Sequence, residues 1–128
     1  MHIVVSNHSG VPIYEQIFTQ IRELILTGEL KDGEALPSIR QLARDLRISV
    51  ITTTRAYSEL EQNGFIATMQ GKGCFVRPRN SDMMREQYLR RIEENLSSAI
   101  ENAKMANITD DSLLEMLSVL IKEEKSDG

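Results

Sequence analysis

The sequence predicts a mainly α-helical protein with a small β-wing, arranged as a winged helix-turn-helix followed by a two-helix hairpin. Three observations predict it. Two short amphipathic stretches between Ile39 and Gln62 each follow a serine placed as a helix cap. Past Gly64 the apolar period changes from helical to extended around Gly71-Lys72-Gly73. Beyond Ser81 the spacing becomes helical again, in a long heptad-like run.

Met1 to Gly10 has no helical pattern; Ile3 and Val5 alternate, which suits either a short strand or packing along the body. Pro12 fits the first turn of a helix. Ile13, Ile17, Ile21, Leu24 and Ile25 line one face of that helix, with Phe18 beside them, and Gly28 stops it. Lys31-Asp32-Gly33 then turns the chain toward Leu36.

Ser38 precedes Gln41 by three residues, as in a capping box, where the hydroxyl accepts an orphan amide and the glutamine reaches back to the cap. Ile39, Leu42, Ala43 and Leu46 form one stripe, leaving Arg40, Arg44 and Arg47 off it. Ser49 caps a second helix from about Val50 to Gln62, with Thr53, Ala56, Tyr57 and Leu60 inward and Asn63-Gly64 as its stop. The outward residues near its start are Val50, Ile51, Thr52, Thr54, Arg55 and Ser58. A recognition helix presents such N-terminal side chains to base edges in the DNA major groove. Arg55, after the first turn, suits either a guanine or a phosphate.

Phe65 to Met69 and Cys74 to Val76 are β-prone runs flanking Gln70-Gly71-Lys72-Gly73, a hairpin signal. The glycines let backbone approach a phosphate or a groove floor, and Lys72 adds positive charge. Cys74, the one cysteine, reads as a small buried hydrophobe of the wing rather than a redox sensor.

In the C-terminal third, Leu89, Ile92, Leu96, Ala99, Ala103 and Ala106 alternate spacings of three and four, a heptad seam. Asn107-Ile108 breaks it. Thr109 caps a further helix with Asp110 and Asp111 in its first turn, where negative charge suits the helix dipole. Leu113, Leu114, Leu117, Leu120 and Ile121 form its stripe, and the charged tail from Lys122 reads as frayed. A hairpin that caps its own winged helix and a dimerisation element both fit. The linker Arg77-Pro78-Arg79-Asn80 favours the second, because it leaves the stripe without a partner in its own chain. The expected division is a DNA-binding domain at residues 1–78 and a dimerisation element at 79–128, with Leu89, Ile92, Leu96, Ala99, Ala103, Leu113, Leu117 and Leu120 at the interface.

The net charge of −4 over 128 residues hides an asymmetry. Leu36 to Asn80 carries seven Lys/Arg against three Asp/Glu, whereas Ser81 to Gly128 carries six against eleven. A DNA-facing patch is local, so double-stranded DNA is the expected partner despite the overall sign. The sequence has no long apolar run, no signal-peptide pattern and a single cysteine, so no membrane association and a reducing cytoplasm are expected. His2 and His8 lie in the irregular start with no Cys or carboxylate at ligand spacing, and Gly71-Lys72-Gly73 is too short for a P-loop. No metal, no cofactor and no enzymatic activity are expected.

Several of these segments recur together in a known family. Leu36-Pro37-Ser38-Ile39-Arg40, Leu42-Ala43, Ile51-Thr52-Thr53-Thr54-Arg55, Ala56-Tyr57-Ser58-Glu59-Leu60-Glu61 and Gly71-Lys72-Gly73-Cys74-Phe75-Val76 resemble the GntR-type winged-helix regulators. Pro12-Ile13-Tyr14-Glu15-Gln16-Ile17 and the short C-terminal part look most like the YtrA-type branch. The resemblance implies a sequence-specific transcriptional regulator, a repressor, acting as a homodimer on a palindromic operator, often of its own operon with transporter genes. It implies a contact set of Arg40, Val50, Ile51, Thr52, Thr54, Arg55, Gln70, Gly71 and Lys72, to which the basic face adds Arg44 and Arg47. Arg47 stands where many members carry Gly, and Val50 where Arg or Pro is frequent. Val50 and Ile51 can read only thymine methyls or shape. The alternative is a winged helix used solely for protein–protein assembly; the basic cluster and thin wing tip speak against it. For a small-molecule effector, no residue constellation names one.

Overall fold

Isoleucine at every fourth position, Ile17, Ile21 and Ile25, gives α1 (Ile13–Leu26) one wholly buried face, and the winged helix folds against it. The computed structural model describes residues 1–127. After α1 come α2 (Ile39–Leu46), α3 (Val50–Gln62), β1 (Ile66–Met69), β2 (Gly73–Val76), α4 (Asp82–Met105) and α5 (Asp110–Asp127). This is the mainly α architecture with a small wing that the sequence predicts. Both α1 and α2 pack on α3. Leu42, Ala56, Leu60, Phe65, Ile66 and Val76 join these isoleucines in the core, where Phe18 meets Phe65 edge-on at 6.1 Å between ring centres.

The strands pair antiparallel, Ile66 opposite Val76 and Met69 opposite Gly73. The segment before α2 adds an edge that periodicity does not reveal. Ala35 bridges Phe75, and the Leu36 amide donates to the Cys74 carbonyl at 2.9 Å. The N-terminal segment takes the packing alternative. Ile3 is buried, and the Gln20 amide both accepts from the Val4 N–H (3.0 Å) and donates to the Val4 carbonyl (2.7 Å). Gln16 treats Ser6 the same way. Side-chain amides thus satisfy backbone groups that a neighbouring strand would otherwise pair.

Ser38 caps α2 as expected, its Oγ accepting the Gln41 N–H at 3.1 Å. The reciprocal half of the capping box does not form, because the Gln41 side chain donates to Asp45 Oδ1 at 2.8 Å instead. Thr109 caps α5, accepting the Ser112 N–H at 3.2 Å. Helix α5 continues to Asp127, past the point where the charged tail reads as frayed.

The first two turns of α4 pack on the winged helix. Met84 has no exposed surface, Met83 covers Gly64, and Gln87 Nε2 donates to the Asn63 carbonyl at 2.9 Å. Gly64 sits at φ +81°, and an added Cβ there would collide with the Met83 side chain. The linker is itself held, with the Arg79 amide donating to Asp32 Oδ2 at 3.2 Å. Contacts accordingly divide the chain after Tyr88, beyond the linker where the sequence places the boundary. Among the described residues, no helix is long and apolar enough to cross a membrane.

Candidate nucleic-acid interface

The start of α3 is organised by hydroxyl groups. Ser49 Oγ accepts the Thr52 N–H at 3.0 Å and donates to Thr52 Oγ1 at 2.8 Å. Thr53, wholly buried, donates to the Ser49 carbonyl, and Thr54 donates to the Val50 carbonyl at 2.8 Å. Threonine is a poor helix former, and these bonds account for the run: Thr52 Oγ1 accepts from Ser49, the Thr53 and Thr54 hydroxyl protons go to carbonyls one turn back, and the Thr54 lone pairs stay free to accept. The inward row is the predicted one, Thr53, Ala56, Tyr57 and Leu60.

On the other side, Val50 is 48 % and Ile51 83 % exposed, Thr54 and Arg55 are exposed and Thr52 is half-buried. Arg40 and Arg44 are exposed on α2. Arg47 forms the turn between the helices at φ 57°, a left-handed conformation that costs a side-chain-bearing residue about 1–2 kcal/mol. Among the described residues, Arg40, Arg44, Arg47, Arg55 and Lys72 have no carboxylate partner.

Tyr57 belongs to the core. Its hydroxyl donates to the Pro37 carbonyl at 2.7 Å, linking α3 to the entry of α2. Burial, reinforced by the neighbouring Cys74, pushes the phenol well above its ordinary value, so it remains a neutral donor.

At the wing tip the Lys72 amide donates to the Met69 carbonyl at 2.9 Å, with Gly71 at φ +79° in the third turn position, as a type II turn requires. Gln70, Gly71 and Lys72 are exposed. The Glu61 carboxylate ties this wing to α3, accepting from the Thr68 hydroxyl at 3.2 Å and, more weakly, from its N–H at 3.4 Å. Cys74 is half-buried, 3.4 Å from the same hydroxyl. One folded unit therefore carries all eleven predicted positions: Arg40, Arg44, Arg47, Val50, Ile51, Thr52, Thr54, Arg55, Gln70, Gly71 and Lys72.

One residue of this surface escapes the sequence reading. The Arg55 Cζ lies 3.7 Å from the ring centre of Tyr14 on α1. Tyr14 falls off the isoleucine stripe, and only its place in the Pro12-to-Ile17 motif singles it out.

The chain from Leu89 onward presents a second surface. A groove of about 390 Å³ between α4 and α5 is lined almost wholly by apolar side chains, among them Leu96, Ala99, Leu113, Leu117 and Leu120. Ala103 is buried, whereas Leu89, Ile92 and Leu96 stay about half exposed at 52 %, 53 % and 44 %. Ile100, Leu114 and Met116 also line the groove. Ile100 lies four residues past Leu96, a helical neighbour that a strict heptad count skips. Among the described residues no cluster of His, Cys, Asp or Glu is placed to hold a metal ion.

Comparison with known proteins agrees with this geometry. The sequence profile described as "Bacterial regulatory proteins, gntR family" matches residues 13–76. The HTH-type transcriptional repressor YtrA of Bacillus subtilis (strain 168) is 37 % identical over 125 residues, covering 98 % of this chain and 93 % of the relative. YtrA from Sulfolobus acidocaldarius, a GntR-family transcription factor of known structure, is similar at 35 % identity and a TM-score of 0.62, over 94 % of this chain and 97 % of that one. A GntR family transcriptional regulator from Listeria monocytogenes superposes with a TM-score of 0.65 at 26 % identity, over 86 % and 96 % of the two chains. With nearly the whole chain aligned to such relatives and the profile spanning α1 through the wing, this protein belongs to the gntR family of bacterial regulatory proteins.

Proposed function

We propose that the protein is a sequence-specific DNA-binding regulator of transcription, a repressor, acting as a homodimer on a palindromic operator. The observation that carries the reading is the surface of α2, α3 and the wing. Exposed Arg40, Arg44, Arg47, Arg55 and Lys72 share one unit with the capped, exposed start of α3, and none is neutralised by a described carboxylate. An N-terminal helix turn enters the major groove while basic flanks meet phosphates. The curated relative named a repressor supports the sign of regulation. The resemblance to the YtrA-type branch extends the proposal to the regulator's own operon with transporter genes.

The homodimer rests on the α4–α5 groove. Half-exposed Leu89, Ile92 and Leu96 leave a seam that a second copy would cover, and an isologous interface buries each leucine twice. Wild-type protein should bind duplex DNA with a strongly salt-dependent affinity, and a site selected from a random pool should read as an inverted repeat. Arg40→Ala should lower the log–log salt slope by about one unit. A folded protein that binds no duplex at low salt would favour the protein–protein assembly reading instead.

A further inference from the structure

We propose that Tyr14 is a positioning residue for DNA binding: its ring holds the Arg55 guanidinium for a backbone phosphate beside α3, and so withdraws Arg55 from base reading. The inference rests on the DNA-binding reading above and names a role within that site. At 3.7 Å from Cζ to the ring centre, the cation lies on the face of the tyrosine, well inside the range of about 6 Å over which such pairs attract. Stacking occupies the faces of the guanidinium but leaves its in-plane N–H groups untouched. The Arg55 side chain makes no hydrogen bond or ion pair among the described residues, Glu15 beside Tyr14 included, so its planar fork of donors remains available. That fork matches two oxygens of one phosphate. An unrestrained arginine surrenders rotamer freedom on making such a contact, and a stacked one has already done so.

Direction separates phosphate from base. Arg55 lies one turn beyond Ile51, where an extended side chain could follow Val50 and Ile51 toward a groove floor. Its contact with Tyr14 instead draws the cation toward the first turn of α1, the neighbouring helix. Elements flanking a recognition helix meet the sugar–phosphate backbone and fix register without reading sequence.

The test uses full-length protein with two duplexes, a site selected from a random pool and a scrambled one, titrated across salt concentrations. Arg55→Ala should weaken binding to both in the same proportion, reduce the log–log salt slope by about one unit and leave base preference unchanged at every position. Tyr14→Phe, which keeps the ring, should bind as wild type. Tyr14→Leu should weaken both duplexes by about two- to fivefold, the equivalent of an exposed cation–π contact. That loss should vanish in the Arg55→Ala background, because the ring acts only through the arginine. Relaxed choice at one base pair in Arg55→Ala, or a Tyr14→Leu effect that is absent or independent of Arg55, overturns the proposal. Arg55 is exposed, so the base-preference profile of Arg55→Ala decides the matter even where Tyr14→Leu does not fold. Wild-type protein that binds neither duplex defeats the DNA-binding reading and this one with it; wild-type binding without coupling of the two residues defeats this one alone.

Discussion

The Tyr88 hydroxyl donates to the Leu26 carbonyl at 3.1 Å across 62 residues of sequence, joining α4 to the end of α1. The acceptor is one of the carbonyls a helix C-terminus leaves unpaired. Together with buried Met84, this bond makes the start of α4 part of the winged helix. Tyr88→Phe should cost about 0.5–1.5 kcal/mol and Met84→Ala about 2–5 kcal/mol in urea unfolding. A chain ending at Asn80, which loses both, should be markedly less stable than one ending at Arg90. Equal unfolding midpoints for the two truncations would show that the first turns of α4 contribute nothing.

The buried phenol of Tyr57 predicts an alkaline weakness. Its folded pKa lies above the unfolded value of 10.0, so the folded state holds the proton more tightly. The stabilisation is complete below that unfolded value and is lost as pH rises above it toward the folded one. Thermal unfolding followed from about pH 8 to 11 should show the wild-type Tm falling more steeply than that of Tyr57→Phe. At neutral pH the same variant should be about 0.5–1.5 kcal/mol less stable, since the Pro37 carbonyl loses its donor. Parallel pH profiles for the two proteins would contradict this account.

Arg47 pays for its place in the turn with backbone strain. Glycine relieves the left-handed conformation but is more flexible in the unfolded chain, and the two terms differ by about 0.5–1 kcal/mol in favour of Arg47→Gly. The variant should therefore be more stable yet bind DNA more weakly, with a shallower salt slope. Stability and affinity moving in the same direction would remove Arg47 from the contact surface.

Leu96 lines the α4–α5 groove and is 44 % exposed in the single chain. Covering such a leucine is worth about 1.5–3 kcal/mol, and a two-fold interface counts it twice. Leu96→Glu should give a monomer by light scattering, with the winged helix still folded. Its affinity for a palindromic site should fall by about 10²–10⁴-fold as the two half-sites lose their linkage. A Leu96→Glu protein that sediments as a dimer would end the assignment of this groove.

Local chemistry was legible in the residues themselves. Ser38, Ser49 and Thr109 announce helix starts because a hydroxyl satisfies an amide only a few residues on. Inward rows such as Thr53, Ala56, Tyr57 and Leu60 follow from helical period, and the outward row of α3 follows as their complement. The same logic places the Gly71 turn at the wing tip.

Tertiary structure alone decided the contacts that periodicity cannot encode. The amides of Gln16 and Gln20 hold the N-terminal segment, Ala35 adds an edge to the wing, and Gln41 turns to Asp45 rather than to its cap. Met84 enters the core although it follows a proline-containing linker, because the ends of α1 and α3 leave space there for the first turns of α4. Within the candidate site, sequence identified Arg55 as outward, and only the fold laid it on Tyr14. Cap and stripe are set by neighbours along one helix, whereas the direction of a long side chain is set by whichever distant element packs beside it.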